Sequence, residues 1–277
     1  MKKLKRLIRN FAFSFGLILT VLLVVVALAA PLLSPHDPNV QETSRRLEAP
    51  SKDHLLGLDD LGRDVLSRII WGARVSLRVG FSVVVLASLI GVTLGAMSGY
   101  FGGAIDVLIM RLCDILLAFP GILLAIALVA VLGPSLNNVI LALATIGWVG
   151  YARLVRGQVL KVREMEYVTA AKALGARSAR VIVLHVLPNV INPVIVMATL
   201  GLAGAILAEA ALSFLGLGVQ PPTPSWGAML TAGRRYLGLA NHLAIFPGAA
   251  IMLAVMGLNF LGDGLVDALD PKYRKNM

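Results

Sequence analysis

Few side chains in this sequence could do chemistry, and most of them are widely separated. His36, His54, His185 and His242 follow no metal-ligand spacing, and the single Cys113 excludes a thiolate cluster and an internal disulfide. Asp59, Asp60 and Asp64 offer hard oxygen ligands, but Arg63 and Arg68 stand among them and no calcium-loop pattern is present, so charge pairing is the expectation. No lysine follows a glycine, which excludes a phosphate-cradling Walker loop. No serine–histidine pairing with recognisable spacing falls inside the apolar runs, so no catalytic residue, metal ligand or bound cofactor is expected.

Two charged groups remain. Glu209 lies inside the apolar stretch GAILAEAALSF, where a carboxylate is costly and needs a partner; it either lines or gates a pathway, or makes a structural hydrogen bond between helices. Asp106, Arg111 and Asp114 flank the start of another apolar run, either as a network near an inner gate or as ordinary boundary charges. The richest feature is EYVTAAKALGARSARVIVLHVLPN (166–189), a basic, helix-prone insert between apolar runs. Tyr167, Ala170, Ala171 and Leu174 share one helix face, Gly175 is a natural stop, and Ser178 can cap a second helix. The result is a flat face of small residues with a basic rim, suited to a partner's groove or simply to a cytoplasmic loop.

The elements that must hold these residues are membrane spans. The 277-residue chain is 58% hydrophobic and 14% charged, with a mean hydropathy of +0.84, more apolar surface than a soluble fold of this length can hide. The net charge of +10 therefore marks membrane flanks rather than nucleic-acid binding. Six spans are predicted, at 11–33, 76–98, 106–131, 136–152, 189–213 and 242–262. The first follows MKKLKRLIRN and is too long for a signal-peptide core, so it reads as an uncleaved helix. Trp148 and Tyr151 resemble an aromatic belt at the end of the fourth. Lys/Arg are denser at the N-terminus, in 153–180 and at 272–275 than in the intervening segments, which places both termini inside.

Segment 34–75 is then the longest outer loop. Asp60 is the expected cap of an amphipathic helix carrying Leu61, Val65, Leu66, Ile69 and Ile70, with an Asp64–Arg68 pair and Trp71 as an interfacial anchor. Pro221, Pro222, Pro224 and Trp226 make a second, stiff outer segment. Gly91, Gly95 and Gly99 recur at four-residue steps and predict close helix packing.

The 166–189 segment resembles the EAA loop of permease subunits of binding-protein-dependent ABC importers, whose pattern is Glu-Ala-Ala, three residues, Gly, nine residues, Ile, one residue, Leu-Pro. Here Thr169-Ala170-Ala171, Gly175 and Leu187-Pro188 keep the spacing, with Thr169 for the glutamate and His185 for the isoleucine. HLLGLDDLGRDVLSRIIWGARVSL (54–77), GYFGG (99–103), DILLAFPG (114–121), AEAALSFLGLG (208–218) and PSWG (224–227) look like the C-type subunit of dipeptide/oligopeptide/nickel permeases.

The resemblance implies an all-α polytopic protein with a type I importer transmembrane domain, in a bacterial or archaeal cytoplasmic membrane. It divides the chain into an N-terminal helix and outer segment (1–73), the importer domain (74–265, with the coupling loop at about 164–188) and a cytoplasmic tail (266–277). It implies a homologous B-type permease, two ATPase subunits that use ATP and Mg, and an external solute-binding protein. Tyr167, Thr169, Ala170, Ala171, Leu174, Gly175, Leu187 and Pro188 become the ATPase-coupling positions, and Glu209, Asp114 and Arg111 the pathway or gate candidates. A secondary transporter would need inverted repeats and more charge at mid-membrane than this sequence carries.

Overall fold

Apolar runs of this length satisfy their backbone groups in a membrane only as helices. A computed structural model describes residues 11–269, so the N-terminal basic cluster (Lys2, Lys3, Lys5, Arg6, Arg9) and Lys272, Arg274 and Lys275 lie outside the described residues. The helices are α1 (Phe11–Leu28), α2 (Ala30–Leu33), α3 (Val65–Phe101), α4 (Gly103–Leu117), α5 (Gly121–Leu132), α6 (Leu136–Val162), α7 (Glu166–Ala173), α8 (Ser178–Val181), α9 (Leu187–Phe214), α10 (Trp226–Gly233) and α11 (His242–Leu269). Five stretches are long and apolar enough to cross a membrane; a sixth crossing requires α4 and α5 together, bent by 86°. That bend corrects the straight third span. It falls at Ala118-Phe119-Pro120, where proline removes a donor and restricts the residue before it.

Glycines set the packing. A Cβ at Gly91 would lie 2.4 Å from Tyr151 Cβ, one at Gly95 2.4 Å from the Ala152 carbonyl oxygen, and one at Gly99 2.8 Å from Val159 Cβ. Because the contacted residues advance in step, α3 and α6 run parallel, backbone against backbone, along one seam. Elsewhere α1 pairs antiparallel with α11, with Gly16 against Leu261 and Gly264 against Phe13. The described ends of the chain therefore emerge at the same end of the bundle as the 163–186 loop.

Several sequence expectations change here. Trp148 and Tyr151 form no belt: they are buried in the α3–α6 core, because the helix continues to Val162. The amphipathic segment is not a separate interfacial helix but the first turns of α3, about 55 Å long and hence longer than a hydrocarbon core. Its supposed polar face is buried as well, including Arg68. Asp64, not Asp60, caps it, accepting from Ser67 N at 2.8 Å. With Asp64 so engaged, Arg68 turns instead to Asp59 (3.5 Å) and donates to the Pro38 carbonyl at 2.9 Å. The boundary expected at residue 73 falls inside this helix. In the 34–64 segment Arg45 bonds Glu48 at 2.7 Å and holds its carboxyl below the usual range, a solvated pair of little energetic weight.

Candidate functional site

At the loop end of the bundle the chain leaves α6, turns at 163–165 and forms α7. One residue fastens α7: Val168, fully buried in a cluster with Val159, Val162, Val181 and Val186. The opposite face is open. Tyr167, Thr169, Ala170, Leu174 and Gly175 are exposed, Leu174 at 89%. Leu174 thus projects from the open face beside small residues.

The helix ends in a Schellman turn. Gly175 sits at φ +81°, its N–H bonding Lys172 O at 2.9 Å, and Ala176 N–H bonds Ala171 O at 3.1 Å. α8 starts at Ser178, which is its first residue rather than its cap; Arg177 holds the cap position without a side-chain bond. The helix does not break at Leu187-Pro188: a π-turn at Ile182–Val186 joins α8 to α9 as one continuous span. A widened turn makes room for the Pro188 ring, which an α-helical turn would drive into a carbonyl. Asn189 Nδ2 then caps the His185 carbonyl at 2.8 Å.

Contacts tie this loop to α3. Arg163 Nη1 donates to Gly99 O at 2.9 Å, and Lys172 Nζ lies 4.9 Å from the Tyr100 ring centre. Beside them Asp106 takes a bidentate pair from Arg156 at 2.6 and 2.7 Å and a hydrogen bond from the Ser98 hydroxyl, joining α3, α4 and α6. Asp114 pairs with Arg153 on an exposed face and Arg111 joins neither pair, so Asp106 and Asp114 make two separate links to α6 rather than one network with Arg111. Sequence reasoning missed Arg156, Arg163, Lys172 and Tyr100; only the register of α3 on α6 brings them together. Because the Asp106 pair is only partly exposed, Asp106→Asn should cost about 2 kcal/mol. A double-mutant cycle with Arg156→Gln, read from thermal unfolding, should show a coupling of about 1–2 kcal/mol. Additive losses would mean the pair does no structural work.

Deeper in the bundle, a cavity of about 420 Å³ opens between α3, α5, α6 and α9. Val83, Ala87, Gly147, Met197, Gly201 and Ala205 line it, and Tyr151 brings a hydroxyl. Glu209, Asp114 and Arg111 are not among its lining residues. Glu209 is fully buried in α9, its Oε1 accepting from the Ser213 hydroxyl of the same helix at 2.6 Å, while Oε2 is buried with no hydrogen-bond partner among the described residues.

At the opposite end, Asp59 Oδ2 takes Arg63 at 2.7 Å, as pairing predicted. Trp226 is buried rather than a surface stiffener, its indole donating to Ile69 O at 3.0 Å. His36 and His54, expected to be scattered, meet at Asp64: His54 Nδ1 is 2.9 Å and His36 Nδ1 3.7 Å from Asp64 Oδ1. Separation along the chain hid this juxtaposition.

Comparison with known proteins adds a frame. Residues 91–275 match the family model described as binding-protein-dependent transport system inner membrane component. Residues 3–50 match the N-terminal TM domain of oligopeptide transport permease C. A dipeptide transport system permease protein of Alkalihalophilus pseudofirmus is 50% identical over 270 residues, 98% of this chain and 89% of the relative. A di/tripeptide transport system permease protein of Pseudomonas aeruginosa is 47% identical over 265 residues, covering 94% and 88%. A glutathione transport system permease protein of Pectobacterium atrosepticum is 44% identical over 271 residues, covering 98% and 90%.

Proposed function

The chain belongs to the binding-protein-dependent transport system inner membrane components, as a multi-pass permease of an ABC importer, and we propose that it forms one half of a translocation path for short peptides or a related solute such as a nickel chelate. The companion half is a homologous B-type permease. Two ATPase subunits bind ATP and Mg, and a solute-binding protein delivers the solute to the end carrying 34–64 and 215–241. The chain itself catalyses nothing. Both termini and the 163–186 loop face the cytoplasm, in keeping with the density of Lys/Arg there.

One observation carries this reading: the uncovered small-residue face of α7, ending at the Gly175 turn. Tyr167, Thr169, Ala170, Ala171, Leu174 and Gly175 are the positions that dock into an ATPase groove. Leu187 and Pro188 lead the motion into α9, while Arg163 and Lys172 lead it into α3. ATPase closure then selects between two packings of the bundle. The apolar cavity suits a solute class with variable side chains, since weak contacts let it enter and leave. The dipeptide, di/tripeptide and glutathione names of the relatives support that class.

Reconstitution tests it. Proteoliposomes holding this chain, the companion permease and both ATPase subunits should take up labelled dipeptide only with ATP and the binding protein present. Uptake by this chain alone on an ion gradient would replace the reading with a secondary transporter.

A further inference from the structure

We propose that His36, His54 and Asp64 bind one first-row divalent transition-metal ion, of the zinc, cobalt or nickel class, at the end of the bundle opposite the coupling loop. The three residues come from three separate pieces of chain: the turn at Pro35–Pro38, the turn before Leu55, and the cap of α3. One ligand atom from each lies within 4.8 Å of the others. The two imidazole centres are 4.6 Å apart. Ligand atoms around a tetrahedral ion are about 3.3 Å apart, given metal–ligand bonds of about 2.0–2.1 Å. His54 and Asp64 are already closer than that, at 2.9 Å. Closure therefore falls to His36, the one side chain of the three that is exposed and able to rotate.

The surroundings already orient the ligands. Asp64 Oδ2 is held by Ser67 N at 2.8 Å and by the Ser67 hydroxyl at 2.7 Å, which leaves Oδ1 facing the two histidines. The same Ser67 oxygen accepts the His36 backbone N–H at 3.1 Å. The Ser51 hydroxyl accepts the His54 backbone N–H at 3.1 Å. The Ser67 bonds orient the carboxylate for an ion, and the two backbone bonds fix the turns that carry the histidines.

Charge is also accommodated. The nearby Arg63 and Arg68 pair with Asp59, at 2.7 and 3.5 Å, which counters their charge, and Arg68 also donates to the Pro38 carbonyl in the turn that carries His36. Two imidazoles and one carboxylate select borderline transition metals over calcium or magnesium, which prefer all-oxygen shells. The exposure of His36 leaves a fourth position for water. Binding would staple the outer segment to the head of α3 and stabilise the folded chain by mass action. This inference does not rest on the transport reading.

The test uses the full-length, tag-free chain in detergent, stripped with chelator and titrated with Co²⁺ and then Zn²⁺. The expected result is one ion per chain, the visible absorption of four-coordinate Co²⁺, and a rise in Tm with Zn²⁺. His36→Ala, an exposed site that folding does not need, should weaken binding by more than about 10-fold and abolish the band. His36→Cys should restore binding, with a thiolate-to-cobalt charge-transfer band added. A wild-type chain that binds no ion, or a His36→Ala chain that binds Co²⁺ like wild type, would overturn the proposal. A histidine needed only as a hydrogen-bonding tie would give no cobalt band in either the wild type or the cysteine variant.

Discussion

Gly95→Leu should leave little folded chain to extract from the membrane. A Cβ at this position falls 2.4 Å from the Ala152 carbonyl oxygen and 3.0 Å from both Ala152 Cα and Val155 Cβ. The nearest obstacle is backbone, so no rotamer change relieves it. Gly91 and Gly99 meet α6 in the same way, one helical turn above and below. Moving α6 away at one point therefore opens the whole seam and the core cluster built on it. Gly95→Ala alone should cost about 3 kcal/mol, the upper range for overpacking. Leucine adds three more carbons to a fold whose margin is about 5–15 kcal/mol. Gly157→Ala is the matching control: it lies on α6 with open space around its Cβ and should change stability by no more than about 0.5–1 kcal/mol, towards greater stability. Thermal unfolding with size-exclusion elution reads all three. A Gly95→Leu chain that elutes and melts like wild type would refute the seam.

That seam shows how far the sequence could be read. Small residues at four-residue steps announced a close helix contact without naming its partner, because the pattern encodes a face and not a neighbour. The spans were legible for the same local reason. What failed was mostly termination. The start of α3 was placed at Asp60 because capping chemistry fits any aspartate ahead of an apolar run, and only the hydrogen bond from Ser67 decides for Asp64. Proline opposes an α-turn, yet at Leu187-Pro188 the chain continues by way of a π-turn, a choice with no local signature. The bend at Pro120 did have a signal, and the apolar run around it masked that signal.

The candidate site divides along the same line. Gly175 and the α7 face follow from spacing within one segment. Arg156, Arg163, Tyr100 and the His36–His54–Asp64 cluster depend on contacts between distant segments. Periodicity carries no information about those. Val168 lies in the same segment, but a single buried valine on a short helix has no spacing signal to mark it.

Gly175→Arg should abolish ATP-driven uptake while the chain still inserts and folds. The two effects separate because of where Gly175 sits. Its φ of +81° lies in the left-handed region, where an L-residue costs about 1–2 kcal/mol, too little to unfold the bundle. A Cβ there meets nothing within 4 Å, so the arginine side chain extends into the open space beside Leu174 instead of into the core. In the coupling proposed for α7 that space receives an ATPase groove, and a long cation there holds the two surfaces apart. Gly175→Asn distinguishes shape from docking. Asparagine tolerates the left-handed conformation and is short, so it should keep the turn and most of the uptake. In proteoliposomes with the partner subunits, the arginine variant should hydrolyse ATP without moving peptide, or fail to retain the ATPases on purification. Its melting temperature should fall only slightly. Wild-type uptake in Gly175→Arg would remove α7 from the coupling path and leave Arg163 and Lys172 as mere ties of the loop to α3.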